Sequence, residues 1–443
     1  MCDADNRALS ETGPEGNFVE MKFSAFTMAC AVALCTLTPC FCTEADAGPG
    51  SGIRLASDTT FSPFIEASYT YDSNPLLLPE GEELDDYFLD IVPALSFIKQ
   101  NDRQSLSLRG WYQIRKYDEF TPLDDDTWQE NIDWVYGDTR DLQLILSQRH
   151  GVLSDYEFTQ GDTDAKNQSG EALLRMIETR TRRVHRALDD IGVGASHETD
   201  KTFIDIGVAY AAVAFEEEDG LYDWSELLAS GDVGYRATDK TVLGAHVELG
   251  QHDSDNELDT VDWLKGRLST QYEPTYKTKI KIGAGLESHN AGDATGAQSA
   301  DLDTATSDST DLDRLIFHYD ARAIWAVTEK TDLQMFGRNE MLPTSAFAQN
   351  TKQINQGSVG IVYRPTETIQ TTLGVSYRSD DYTRLISGVN AFEELLGGQL
   401  RIVYDNRRRW LQIYLKARYE EFTSNIQDDY VQLRLTVGLN LKY

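Results

Sequence analysis

The chain has 443 residues, a formal net charge of −33 and a mean hydropathy of −0.43. The large excess of Asp and Glu over Lys and Arg excludes a nucleic-acid-binding protein, because phosphate contacts require clustered positive charge. Beyond residue 47 no stretch is apolar enough for a transmembrane helix, which needs about 20 apolar residues. Soluble domains and membrane proteins built from strands are the classes that these totals leave.

The N-terminus has the layout of a secretory signal peptide. Met21 opens a segment with one lysine, a long apolar run and then Ala45-Asp46-Ala47. A basic residue, an apolar stretch and an A-x-A site in this order are typical of secretory signals. We expect translation to start at Met21 and cleavage to follow Ala47, so that residues 1–47 are removed and residues 48–443 form the mature domain. A start at Met1 with a genuine extension is the alternative.

The cysteines lie entirely before the predicted cleavage point. The mature chain therefore has no disulfide framework and no Cys-based metal site, and the sequence predicts no cofactor. The five cysteines are Cys2, Cys30, Cys35, Cys40 and Cys42.

Apolar and polar residues alternate with a period of two along the rest of the chain, as in the final stretch VQLRLTVGLNLKY. This period predicts β-strands with two different faces. Most segments are ten to fifteen residues long, which suits tilted membrane strands better than soluble strands of about five or six residues. The eighteen segments begin near residues 61, 88, 105, 127, 141, 183, 202, 223, 241, 260, 278, 314, 332, 353, 369, 395, 410 and 430.

The connections alternate in length. Short turns such as Thr199-Asp200-Lys201-Thr202 and Thr238-Asp239-Lys240-Thr241 separate longer, mostly acidic connections such as 72–86 and 289–313. Short turns on one rim and long loops on the other are typical of outer-membrane barrels. The sequence predicts an all-β, transmembrane, up-and-down antiparallel β-barrel of about 18 strands, with 16 as the alternative. It places both termini on the periplasmic rim.

Two early stretches resemble a known family. Tyr69-Thr70-Tyr71-Asp72-Ser73-Asn74-Pro75, followed by Asp90–Phe97 (DIVPALSF), resembles the opening two strands of the putative β-barrel porin-2 family. The similar turns and the aromatic C-terminus also resemble that family. The resemblance implies a barrel in the outer membrane of a Gram-negative-type cell. It also implies an association with capsule or exopolysaccharide export, with periplasmic export components and anionic polysaccharide as partners.

The polar row of the strands supplies the candidate lining of the lumen. Bases outnumber acids in this set, which suggests an anion-favouring path with the acids in the connections. The alternative is that Arg and Lys pair with acids across the wall. Trp111 and Tyr414 could offer flat faces to sugar rings. The fifteen candidates are Arg109, Trp111, Arg115, His246, Glu248, Lys279, Lys281, Arg322, Arg338, Arg378, Arg401, Tyr414, Lys416, Arg418 and Arg434.

The last strand resembles the signal that the barrel-assembly machinery recognises. Its elements are the polar Thr436 and Gly438, then Leu441 and the terminal aromatic Tyr443. We expect that machinery and outer-membrane lipid to be partners of the chain.

Four functions are compatible with this plan: a conduit for exopolysaccharide export, a general or anion-preferring porin for small solutes, a plugged structural or adhesion barrel, and a barrel enzyme. The family resemblance favours the first. Sequence chemistry alone does not separate it from the small-solute porin. Seven histidines are present but no nucleophile motif accompanies them, so we predict no enzyme activity.

Overall fold

The structure, a computed structural model, describes residues 52–154, 185–215, 223–254, 260–291, 314–343, 351–382, 391–406, 410–425 and 428–442. The predicted signal peptide and Tyr443 lie outside this part of the chain. The described residues form a short strand β1 (Ile53–Ala56) and eighteen long strands. The long strands are β2 (Thr59–Asp72), β3 (Asp86–Gln100), β4 (Gln104–Tyr117), β5 (Asp125–Asp138), β6 (Leu142–Ser154), β7 (His185–Glu198), β8 (Thr202–Phe215), β9 (Trp224–Thr238), β10 (Thr241–Ser254), β11 (Val261–Thr275), β12 (Thr278–Ala291), β13 (Arg314–Thr328), β14 (Thr331–Pro343), β15 (Thr351–Thr366), β16 (Ile369–Tyr382), β17 (Ala391–Asp405), β18 (Leu411–Ser424) and β19 (Tyr430–Lys442).

The eighteen long strands close into one antiparallel barrel. Each strand pairs with the next in the chain, and β19 returns to β2 in a register that runs from Arg434 opposite Asp72 to Lys442 opposite Phe64. The predicted barrel is confirmed with 18 strands, and the alternative of 16 is wrong. The predicted strand starts lie within four residues of the observed ones. The short β1 pairs with the beginning of β2 and was not predicted.

The outer face of the barrel is largely apolar, because the apolar residues at alternate positions of each strand point outwards. Leu, Ile and Val side chains such as Val208, Leu268 and Val375 are more than half exposed on this face. Exposed tyrosines lie nearer the strand ends, for example Tyr69 towards one rim and Tyr363 towards the other. An apolar band between two aromatic girdles is the surface that a barrel presents to lipid.

The two rims differ in the length of their connections. The short turns join β3 to β4, β5 to β6 and every second pair after that, and the start of β2 and the end of β19 lie on the same rim. Threonines stabilise several of these turns: Thr199 Oγ1 accepts a hydrogen bond from the backbone N–H of Thr202 over 2.9 Å. The other rim carries the longer connections, one with a 3₁₀ turn at Thr121–Leu123. No helix among the described residues has the length and hydrophobicity needed to cross a membrane.

The stretch Asp72-Ser73-Asn74-Pro75 stabilises the seam, which is the pairing of the first long strand, β2, with the last strand, β19. Asp72 and Asn74 are both fully buried. Asp72 accepts hydrogen bonds from Gln432 Nε2 at 2.9 Å and from the backbone N–H of Asn74 at 3.0 Å. Asn74 in turn donates from Nδ2 to the carbonyl of Val431 over 3.2 Å. This motif therefore closes the barrel at the rim with the long connections.

Candidate channel lumen

The inner face of the barrel carries polar and charged side chains. Residues that oppose one another across the strands share this face, as Asp90 does with Arg115 and Glu248 with Lys265. The strand register places all fifteen predicted lumen residues on this inward row. That they line a conducting pore stays a prediction.

Several inward charges of the half with the long connections are buried in pairs. Arg115 donates from Nε and Nη2 to the two carboxylate oxygens of Asp90 over 2.7 and 2.8 Å. Its guanidinium carbon also lies 4.4 Å from the centre of the Phe88 ring. A bidentate pair of this kind is rigid and directional. Arg115 therefore stiffens the wall instead of offering its charge to a solute.

A second buried group of charges consists of two residues on β16 and one on β15. Arg378 donates to both carboxylate oxygens of Asp380, two positions along the same strand. Lys352 Nζ lies 3.2 Å from Asp380 Oδ2, and the Lys352 side chain is almost entirely buried. Arg378 was predicted to line the lumen, yet its charge is compensated by a carboxylate within its own wall.

A larger buried network centres on Lys265 of β11. Its ammonium lies 3.4 Å from a carboxylate oxygen of Glu287, 3.4 Å from one of Glu340 and 3.8 Å from one of Glu248. Trp263 adds a hydrogen bond from Nε1 to Glu248 over 3.0 Å. Buried charges are tolerated only when they are paired and hydrogen-bonded, so this network acts as a unit that joins β10, β11, β12 and β14.

Four of the seven histidines gather on the inward face next to this network: His246, His252, His289 and His318. The Nδ1 atom of His318 lies 3.8 Å from Glu287, and the Nε2 atom of His289 lies 3.9 Å from the same carboxylate. The sequence did not predict this grouping, because the four histidines are far apart along the chain. Among the described residues, no group of three or more His, Cys, Asp or Glu side chains could hold a metal ion.

The expectation that the acids lie in the connections is wrong. Asp72, Asp90, Glu248, Glu287 and Asp380 all face inward and are buried. The predicted lumen residues are mainly bases from the polar rows, and the acids at neighbouring positions of those rows were not predicted. The physical reason for their presence is that a buried base needs a carboxylate partner. The alternative in which Arg and Lys pair with acids therefore describes this half of the barrel.

In the half of the barrel with the short turns, several inward-facing charged side chains are exposed to solvent. Arg109, Lys281, Arg322 and Arg401 face inward there and are exposed. Lys279 is also exposed, and its ammonium lies 3.4 Å from Glu273 in a pair that is about half exposed on both sides. The exposed members of the predicted set therefore lie towards one end of the lumen.

Tyr414 connects the predicted lumen set to the predicted assembly signal. It opposes Gly438 across β18 and β19 and donates a hydrogen bond from its hydroxyl to Glu66 over 2.7 Å. A Cβ at position 438 would lie 2.2 Å from the Tyr414 ring. Tyr414 is buried, so its ring packs against the wall and does not present a face to a sugar.

The other residues of the predicted assembly signal lie on both faces of β19. Thr436 accepts a hydrogen bond on the inner face from Thr70 over 3.0 Å. Leu441 is exposed on the outer face and opposes Ile65 of β2 and Leu411 of β18. Their role in assembly stays a prediction.

A closed 18-stranded barrel with an apolar outer belt and a polar interior defines the class of porin-like outer-membrane barrels. The chain belongs to the family described as Putative beta-barrel porin 2, whose model matches residues 49–443. This confirms the resemblance and the outer-membrane location, so outer-membrane lipid surrounds the apolar belt. No curated protein matches the sequence.

Solved structures of outer-membrane proteins are similar to this chain. Pseudomonas aeruginosa OpdQ has 12% sequence identity and a TM-score of 0.46, with 87% of this chain and 98% of that chain covered. Acinetobacter baumannii OccAB4 has 10% identity and a TM-score of 0.46, with 87% and 99% covered. Pseudomonas aeruginosa OpdL has 11% identity and a TM-score of 0.47, with 87% and 99% covered.

Proposed function

We propose that the protein is a water-filled channel for small polar solutes. The observation that carries this proposal is the set of exposed, inward-facing charges in the half with the short turns, namely Arg109, Lys281, Arg322 and Arg401. Charged side chains on the inner face remain exposed only where water reaches them. A barrel of this strand number usually encloses an aqueous lumen.

The proposed ion selectivity is weak. Bases dominate among the exposed inward residues, which favours anions. The buried charges of the other half are paired with opposite charges, as in Asp90 with Arg115, and so contribute little net field. We expect the anion preference to be modest and to shrink as salt rises, because exposed charges are screened.

Export of acidic polysaccharide is the second candidate, and the family resemblance supports it. Two aromatic side chains were considered as sugar platforms. Tyr414 is buried against Gly438, while Trp111 faces inward and is half-buried. One available ring gives this function less support than small-solute transport has. Its partners would be periplasmic export components.

The purified protein tests both candidates. In planar bilayers we expect steady conductance, and in proteoliposomes we expect swelling in neutral sugars that slows as the sugar grows. A bilayer that stays closed, with no swelling, would contradict the channel proposal. A deletion strain separates the candidates: loss of surface polysaccharide with intact synthesis would favour export, whereas normal surface polysaccharide would remove it.

A further inference from the structure

The inward charges near the short-turn rim form two levels. The outer level, within two residues of the strand ends, consists largely of opposite charges in pairs. Arg236 pairs with Glu198, Lys279 with Glu273 and Arg364 with Asp332. These pairs are partly exposed and behave as ordinary surface ion pairs, which contribute little to stability.

The inner level lies three to six residues from the same strand ends, and here most of the charges are grouped by sign. The acids are on β5, β8 and β9, and the bases are on β12, β13, β17 and β18, with one further base on β4. Among the described residues, the acids of this level are Asp133, Asp205 and Asp232, and the bases are Arg109, Lys281, Arg322, Arg401 and Lys416.

Like charges stand directly opposite one another in this level. Asp205 opposes Asp232 across β8 and β9, and Arg401 opposes Lys416 across β17 and β18. A third like pair, of two bases, lies across β12 and β13. Like charges directly opposite on one sheet face destabilise the sheet. Residues that weaken the local structure, as these like-charged pairs do, are expected at functional sites.

The acidic pair and one basic pair lie on opposite walls. The boundary between β8 and β9 and the boundary between β17 and β18 are nine strands apart in a ring of eighteen. Half of the circumference therefore separates Asp205 and Asp232 from Arg401 and Lys416. A neighbouring histidine moderates the acidic wall: His246 shares a hydrogen bond of 3.0 Å with Asp232. No contact of Asp205 of this kind is present among the described residues.

We propose that this charge-separated ring attracts small zwitterions and orients them in the water between its two walls. A solute with an ammonium and a carboxylate group, such as an amino acid or dipeptide, would turn its ammonium towards Asp205 and its carboxylate towards Arg401. Low-dielectric walls concentrate the field between such opposed charges. The inference rests on the proposed open lumen and adds a solute class to it.

The test compares glycylglycine with a neutral pentose in proteoliposome swelling. The variants are Asp205→Asn combined with Arg401→Gln, and Arg401→Gln alone in case the double variant folds poorly. The matched control combines Asp200→Asn with Lys201→Gln in an exposed turn of the same rim, outside the ring. A heat-modifiable band on a gel verifies that each variant is folded.

The zwitterion should enter faster than the pentose through the unmodified protein. The double variant should lose about twofold of that ratio, the effect of removing one screened charge from each wall, while the variant with Asp200→Asn and Lys201→Gln keeps it. Equal ratios in all proteins, with normal pentose entry, would overturn the zwitterion site and leave the channel intact. No pentose entry through the unmodified protein would instead refute the channel itself.

Discussion

Arg434 donates a hydrogen bond from Nε to Asp72 Oδ2 over 2.9 Å, and these two residues belong to the last and first strands of the barrel. Both are buried, Asp72 completely. The pair therefore closes the seam at which chain ends 362 positions apart must meet. The motif that carried the family resemblance has a structural role in this closure.

Replacing the carboxylate at the seam should destabilise the barrel. In Asp72→Asn, Arg434 loses its charged acceptor in a buried setting, which we expect to cost about 3 kcal/mol. Urea unfolding in detergent micelles, followed by tryptophan fluorescence, measures the loss. Glu273→Gln is the matched control, because it breaks the exposed pair with Lys279 and should cost less than about 1 kcal/mol. Equal losses in the two variants would contradict the role of the seam.

Gly438 should not accept a side chain. A Cβ there would meet the buried Tyr414 ring at 2.2 Å, so Gly438→Ala should destabilise the barrel by about 1–3 kcal/mol through overpacking. Gly398→Ala on β17, two strands away, is the control, because nothing lies within 4 Å of its Cβ position. Unfolding by urea should separate the two variants, and identical midpoints would show that the ring moves aside freely.

The rim with the long connections should face the outside of the cell. Glu82 lies in the connection between β2 and β3, and Glu329 lies in the short turn between β13 and β14. A membrane-impermeant maleimide added to intact cells should label Glu82→Cys but not Glu329→Cys, with the unsubstituted protein giving the background. The opposite labelling would invert the orientation.

The C-terminal strand should control assembly. Leu441 contributes to the outer face where β19 meets β2, so Leu441→Asn and deletion of Tyr443 should both lower the yield of heat-modifiable barrel and leave protein in the periplasm. Thr423→Asn, at the opposite end of β18, is the comparison that should keep a normal yield. Unchanged yields in the two C-terminal variants would remove the assigned signal.

Two inward arginines should respond differently to charge reversal. Arg401 is exposed, so Arg401→Glu should move the reversal potential towards cations, with a change of about twofold in the permeability ratio at low salt. Arg418 pairs with Glu420 in a largely buried setting, so Arg418→Glu should mainly reduce the folded yield. Similar selectivity shifts in two well-folded variants would contradict this difference between exposed and buried charges.

Much of the fold was readable from local pattern. Alternation in segments such as Leu433–Leu441 predicted the strands, because side chains on a strand point to opposite faces at every step. The alternation of short turns and longer connections then predicted an up-and-down topology, in which each strand pairs with the next. The additional strand Ile53–Ala56 was not recognised, because four residues are too few to show a period.

The sequence by itself determined where the strands lie and which side chains share a face, since both follow from local geometry and turn placement. Only the tertiary structure decided what those inward charges do. Whether a charge is paired depends on neighbours distant in sequence, as with Lys265 and Glu340, or Asp72 and Arg434. The separation of Asp205 from Arg401 likewise exists only after the ring closes, because opposite walls are defined by closure and not by position along the chain.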